Sequence, residues 1–369
     1  MRSDHGRRLY NEAGMSCDIS LQNKNENGRL YYISVLNAVA CFLVVMIHGN
    51  GVFWSFSYDE YWKSANIIES VCYCCVPLFF MITGATLFDY SKRYSTKEFF
   101  IKRIQKTLIP YIGWSAIALF IRWIWNSELP GSAFEAIQWF LANKYNQLYW
   151  FFPCLFCIYL MAPLFTSISE DKKKDVYGYL LIFGFIFNYL LVFVRNLFSI
   201  DIELPLHMIA TGDYMLYAIA GYYFAHYEVS KEKRIVIYIL GLLGLLSMII
   251  GTQLMSYRIG DISTLFKEYI NVPCFLYSIA VFVFIKYHHS WFEYKKLRVI
   301  VNTMVKYTFG IYLCHLYILK FWELVSFRCF HIDKFMLLYR MTTPFVVIPV
   351  AIVGIYIMRK IPVISKIVP

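Results

Sequence analysis

The sequence predicts an all-α integral membrane protein, about ten transmembrane helices in one bundle with both termini in the cytoplasm, and three observations predict it. Apolar residues make up 59% of the 369-residue chain and aromatic residues 20%, far from an ordinary soluble domain. Apolar runs of about 17 to 25 residues recur between short polar breaks, each long enough to cross ~30 Å of hydrocarbon as a helix. Basic residues concentrate on every second break, which the positive-inside rule assigns to the cytoplasm.

In order, the runs cover 30–51, 67–88, 107–126, 148–168, 176–196, 213–228, 235–255, 269–287, 303–325 and 339–358. The breaks holding Lys92 to Lys106, Lys172 to Lys174, Lys231 to Arg234 and Lys295 to Arg298 are basic, whereas alternate breaks carry Asp59, Glu60, Asp201 and Glu203. The formal charge of +11 follows from this sorting, because the basic breaks face the cytoplasm and anionic headgroups. Nucleic acid is not needed to explain it, and no zinc-finger or helix-turn-helix pattern is present.

The expected layout is a polar, disordered cytoplasmic tail over 1–28, a membrane domain over 29–360 and a short cytoplasmic tail over 361–369. The tail lacks the apolar core of a cleavable signal peptide, and Met15 is an alternative start. Most cysteines fall inside the runs as small packing residues. Cys154 and Cys157 have CxxC spacing, but without a second pair or a nearby His they carry no metal site. No GxSxG elbow, Walker loop or dinucleotide loop occurs, so ATP and NAD are not implied.

The first run holds the strongest chemical signal. At 100° per residue, positions 34, 37, 41, 44 and 48 share one helix face, placing Ser34, Asn37, Cys41 and His48 on a polar stripe. Asn37 and His48 lie ~16 Å apart along the axis, His48 toward the outer end. Such a stripe is costly against lipid and should face the bundle interior, either as a path or catalytic group or as a packing partner for a neighbouring helix.

Glu69 is placed at the outer end of the second run, at the depth of His48. It can pair with His48 as the carboxylate that orients a general base, or stand as a solvated interfacial acid. Pro77 predicts a kink, and Gly84 a close helix contact. Lys102, Arg103 and Lys106 cluster before the third run, either to hold a phosphate-rich donor or to anchor the helix at headgroups. His315 lies mid-membrane in the ninth run, as a proton relay or a packing residue. Trp54, Trp139 and Tyr149 near outer ends can stack on sugars or simply form the interfacial belt.

Six stretches in order resemble the acyltransferase-3 family of integral membrane proteins, which O-acylate surface glycans and related acceptors. They are Arg29 to His48 ending in VVMIH, PLFFMITG (77–84), IKRIQKTLIPY (101–111), YWFFPCLFCIYLMAP (149–163), AIAGYYFA (218–225) and FGIYLCH (309–315). The resemblance implies a ten-helix bundle in a cell membrane, expected to be a bacterial plasma membrane, with no permanently bound cofactor. Cytoplasmic acyl-CoA, commonly acetyl-CoA, would be the donor, and a hydroxyl of a surface glycan or lipid-linked sugar the acceptor.

His48 matches the family's essential first-helix His, and Arg103 with its neighbours matches the region that meets the CoA phosphates. Trp150 and His315 fall in elements that imply substrate contact or relay. Three positions depart from the pattern: Asn37 stands where the family usually has Arg, Ser34 where an acid often precedes it, and Leu148 where many relatives have His. Arg29 or Arg103 can supply the charge missing at Asn37. The competing readings are a polytopic transporter or lipid-linked glycan flippase, and a catalytically altered family member.

Overall fold

The chain folds as a helical bundle in the computed structural model, which describes residues 30–200, 211–362 and 364–368. In chain order the helices are α1 (Tyr31–Gly49), α2 (Glu60–Leu87), α3 (Thr96–Trp125), α4 (Ala133–Leu141), α5 (Gln147–Thr166), α6 (Glu170–Phe198), α7 (Met215–His226), α8 (Lys231–Ile259), α9 (Val272–Phe292), α10 (Lys295–Phe330) and α11 (Leu337–Met358). No strand occurs among the described residues. Asp201 and Glu203, from the predicted outer break, lie outside them.

Eight of these helices, all but α4, α7 and α10, are long and apolar enough to cross a membrane. The predicted runs 213–228 and 303–325 correspond to α7 and α10. With 12 residues α7 is only about 18 Å long. The 36 residues of α10 exceed a membrane's thickness, but Lys306, His315 and Lys320 make its middle more polar than the eight. The protein is thus an all-α, multi-pass membrane protein.

Several helices begin earlier than their apolar runs because their polar first turns extend into the breaks. Ser95 and Glu98 form a reciprocal capping box, so α3 starts at Thr96 and carries the whole basic cluster on helix. Similarly, α2 starts at Glu60, which moves Glu69 from the rim to the helix interior.

Pro77 does break α2. It has no N–H for the Tyr73 carbonyl one turn earlier, and the helix is interrupted at Tyr73 and Cys74. Neighbouring α9 serves the loosened carbonyls, with Cys274 Sγ 4.0 Å from Tyr73 O and the Tyr277 hydroxyl donating to Val71 O at 3.0 Å.

Beyond the break, α2 packs backbone to backbone on α7. A Cβ at Gly84 would sit 1.8 Å from Ala218 O, and one at Gly221 would sit 1.9 Å from Met81 O. Two glycines, one per helix and three residues from each other's contact, allow this approach. Burial identifies the centre of the bundle: α1 is 67% and α2 72% buried, against 22% for α6 and α8. The outer helices present Phe120, Leu164, Leu242 and Phe345 outward, as lipid requires.

Candidate active site

The predicted stripe on α1 faces inward, against α2, α10 and α11. Asn37, Val44 and His48 line one wall of a cavity of about 280 Å³, closed by Phe79 of α2, Trp150 of α5 and Tyr312 of α10. The cavity therefore runs some 16 Å along α1, from Asn37 to His48. Ser34 and Cys41, from the same predicted face, are buried in packing.

A second cavity, of about 420 Å³, begins where the first ends. It is lined by Arg122 and Trp125 of α3, Tyr145, Asn146, and Tyr317 and Lys320 of α10. Both linings include His48 and Leu148. The imidazole thus stands at the boundary of two chambers, one running back toward Asn37 and one at the opposite end of the bundle. Leu148 adds no titratable group there; its carbonyl accepts a hydrogen bond from the Tyr312 hydroxyl.

The partner of His48 is His315. Their ring centroids lie 5.2 Å apart with planes inclined by 40°. His315 is fully buried, and its Nδ1 lies 3.0 Å from Ile311 O and 2.8 Å from Tyr312 O. Carbonyls only accept, so Nδ1 carries the hydrogen, and a neutral ring presents Nε2 as an acceptor. That Nε2 is buried with no hydrogen-bond partner among the described residues. His48 likewise makes no hydrogen bond there, and the α10 helix holds its neighbour's tautomer in place.

Glu69 does not pair with His48, which corrects the expectation that it orients the base. Its carboxylate is 2% exposed and accepts from Asn50 Nδ2 at 2.9 Å. The same amide donates to Ala65 O at 2.9 Å, so Glu69 ties the end of α1, two residues past His48, to α2. Lys267, 1% exposed, donates to Asn66 O at 3.2 Å and to the Asn66 side chain, and its Nζ lies 4.2 Å over the Phe53 ring. Burial pushes this ammonium below its ordinary value, and the nearby Glu69 carboxylate opposes that.

Arg340 completes the network. It is 1% exposed, donates to Ser64 Oγ at 2.9 Å and Tyr61 O at 3.2 Å, and reaches Asn50 Oδ1 at 3.5 Å. Sequence reasoning missed Asn50, Lys267 and Arg340. A signal existed: Lys267 lies on a break, and Arg340 at the start of the tenth run, where the positive-inside rule disfavours basic residues, and each is used inside the fold.

The expected donor-binding residues are more scattered. Arg29 lies outside the described residues. Asn37 lines the first cavity, and its Oδ1 is buried without a partner among the described residues. Arg103 stacks between Phe99 and Tyr159, 5.7 and 5.6 Å from their centroids, with a buried and unpartnered Nε. Lys102 lies 3.9 Å over Tyr94, and Lys106 is exposed. Residues Ile104–Leu108 form a π-helical turn, which takes Lys106 off the face that α-helical spacing gives it. None of the three lines either cavity at His48. Trp150 does line the first, stacked at 5.6 Å on Tyr269.

An imidazole between two chambers, held beside a second imidazole with a free ring nitrogen, can move a proton or carry a group between molecules entering from either side. No curated protein and no solved structure matches the chain. A family model does, the acyltransferase domain of the acyltransferase-3 family, over residues 30–359. With nearly the whole described bundle inside that match, the chain belongs to the acyltransferase-3 family of membrane acyltransferases.

Proposed function

We propose that this membrane acyltransferase moves an acetyl or other short acyl group from cytoplasmic acyl-CoA to a hydroxyl of a surface glycan or lipid-linked sugar, with His48 at the transfer point. The observation that carries the reading is that His48 is shared by two cavities. The first chamber takes the pantetheine arm and its thioester, and the second takes the acceptor. The unpartnered Asn37 Oδ1 supports this use, since a pantetheine arm carries amide N–H groups that an orphaned carbonyl oxygen accepts. Asn37 then replaces the family's usual charge with a neutral contact to the arm, leaving the CoA phosphates to Arg103, Lys102 and Lys106 at the basic end.

In the transfer step, His48 takes the acceptor hydroxyl's proton as that oxygen attacks the thioester carbonyl. The C–O bond forms, the C–S bond breaks, and the proton passes from His48 to the departing thiolate. A small rotation of the two rings, whose centroids lie 5.2 Å apart, would let the unpartnered His315 Nε2 accept the other ring N–H of His48 and so orient it, the role expected of Glu69 from sequence. Glu69 acts one layer further out, by fixing Asn50 and the end of α1. The cell would be bacterial and the membrane its plasma membrane.

The test is transfer of labelled acetyl from acetyl-CoA to a crude surface-glycan extract by membranes carrying the chain. His48→Ala, at matched expression, should lower transfer by about 10²-fold or more, the range for a positioned acid–base group. Transfer that persists at the parent rate excludes His48 from the chemistry.

A further inference from the structure

The second cavity is unusually basic for a chamber at the end of the bundle opposite the basic breaks. Its lining contains Arg122 and Lys320 and no Asp or Glu. Arg122 is largely committed: it is paired with Glu128, donates to Lys144 O at 2.8 Å, and lies 5.5 Å over Trp139, leaving only its Nε unpartnered. Lys320 is not committed. It is exposed, has no ion pair among the described residues, and rests 5.3 Å over the Trp125 ring. Glu323, one turn further on, is held by Lys334 at 2.9 Å. Lys63 and Lys267 at the same end also have partners within the fold.

We infer that this chamber, read as the acceptor site of the transfer proposed above, takes an anionic sugar whose carboxylate or phosphate pairs with Lys320. An ammonium beside an aromatic face recognises charge and ring together: Trp125, Tyr145 and Tyr317 offer surfaces for a pyranose, and Lys320 a single cation for its acidic group. Lys320 lies five residues past His315 on α10, about 7.5 Å along the axis. The acidic group and the acylated hydroxyl are therefore spaced by roughly the width of one or two sugar rings. A neutral glycan would leave the cation unpaired against Trp125 and gain nothing from it.

The test is isothermal titration of the purified full chain in nanodiscs, without acyl-CoA. Three oligosaccharides are compared, identical except for a terminal glucuronide, glucose 6-phosphate or neutral glucoside. At low salt at least one anionic ligand should bind about ten-fold or more tighter than the neutral one, and the advantage should shrink at high salt as the charges are screened. Which anionic arm binds tells a carboxylate from a phosphate. Lys320→Met should remove the preference, and Lys320→Arg should restore most of it. Equal affinity of all three ligands, or a preference that survives Lys320→Met, overturns the inference. Because the readout is binding, Lys320-dependent selection of an anion by a chain that never acylates it would overturn the transfer reading and leave this one standing.

Discussion

At the residue scale, His48 has different neighbours from those its depth suggested. Glu69 and His48 sit on consecutive antiparallel helices, which made them plausible partners. A face is not a contact, however: the carboxylate turns to Asn50, while His315, more than 260 positions away in the chain, reaches His48. Helical periodicity showed which side of α1 carries chemistry but not which helix lies against it. Replacing His315 by Phe should reduce turnover about ten- to a hundred-fold and flatten its pH profile, while leaving the KM for acyl-CoA close to the parent's. Asn37→Leu should act the other way, raising that KM about five-fold for one lost hydrogen bond, ~1 kcal/mol, with little change in kcat. Glu69→Ala takes one acceptor from Asn50 and the nearby carboxylate from the buried Lys267 ammonium, and should destabilise the fold by about 1–3 kcal/mol, with Glu69→Gln milder. Thermal unfolding in detergent measures this. A Glu69→Ala chain that folds like the parent yet fails to turn over would return Glu69 to the chemistry.

At the element scale, the most exacting contact is α2 on α7. Gly84 and Gly221 each face the other helix's backbone at a distance no Cβ tolerates, so Ala at either position has to push the helices apart. Each substitution should cost the upper part of the ~1–3 kcal/mol typical of overpacking, or more. The double variant should cost less than the sum, because the first separation relieves the second clash. Thermal scans of the two single variants and the double variant decide it. PLFFMITG and AIAGYYFA were legible as motifs, and Gly84 as a close contact; that the two motifs interlock could not be read, since spacing along a chain carries no information on pairing between helices. Helix starts were legible only in part. Hydropathy registers where lipid begins, whereas Ser95 and Glu98 start α3 several residues earlier by hydrogen bonding, which hydropathy does not see.

At the scale of the whole molecule, polar networks secure both ends of the bundle. At one end stand Asn50, Glu69, Lys267 and Arg340. At the other, Asp89 accepts from Lys173 at 2.6 Å, Lys92 at 2.8 Å and the Tyr222 hydroxyl at 3.0 Å, joining the loop after α2 to α6 and α7. Burial alone would raise the Asp89 carboxyl, but these donors outweigh it and hold it below the ordinary value. Its contribution to stability is then fully present above the unfolded carboxyl value, near ~4, and is lost as pH falls through the lower folded one. The gap in Tm between the parent and Asp89→Asn should be constant near pH 6 and close below about pH 4; a gap unchanged at low pH would remove Asp89 from the account of acid stability.

The all-α membrane fold was legible because lipid imposes length and composition on each helix. The division of the interior into two chambers was not, because it depends on how α1, α3, α5 and α10 meet around one ring. That division is tested most directly by sidedness. The full chain is reconstituted into liposomes with acetyl-CoA on the side of its basic breaks and a glycan acceptor on the other. We expect acetylated glycan to accumulate on the acceptor side, free CoA on the donor side, and neither with His48→Ala. Product formed only when donor and acceptor share one compartment would contradict transfer between the two chambers at His48.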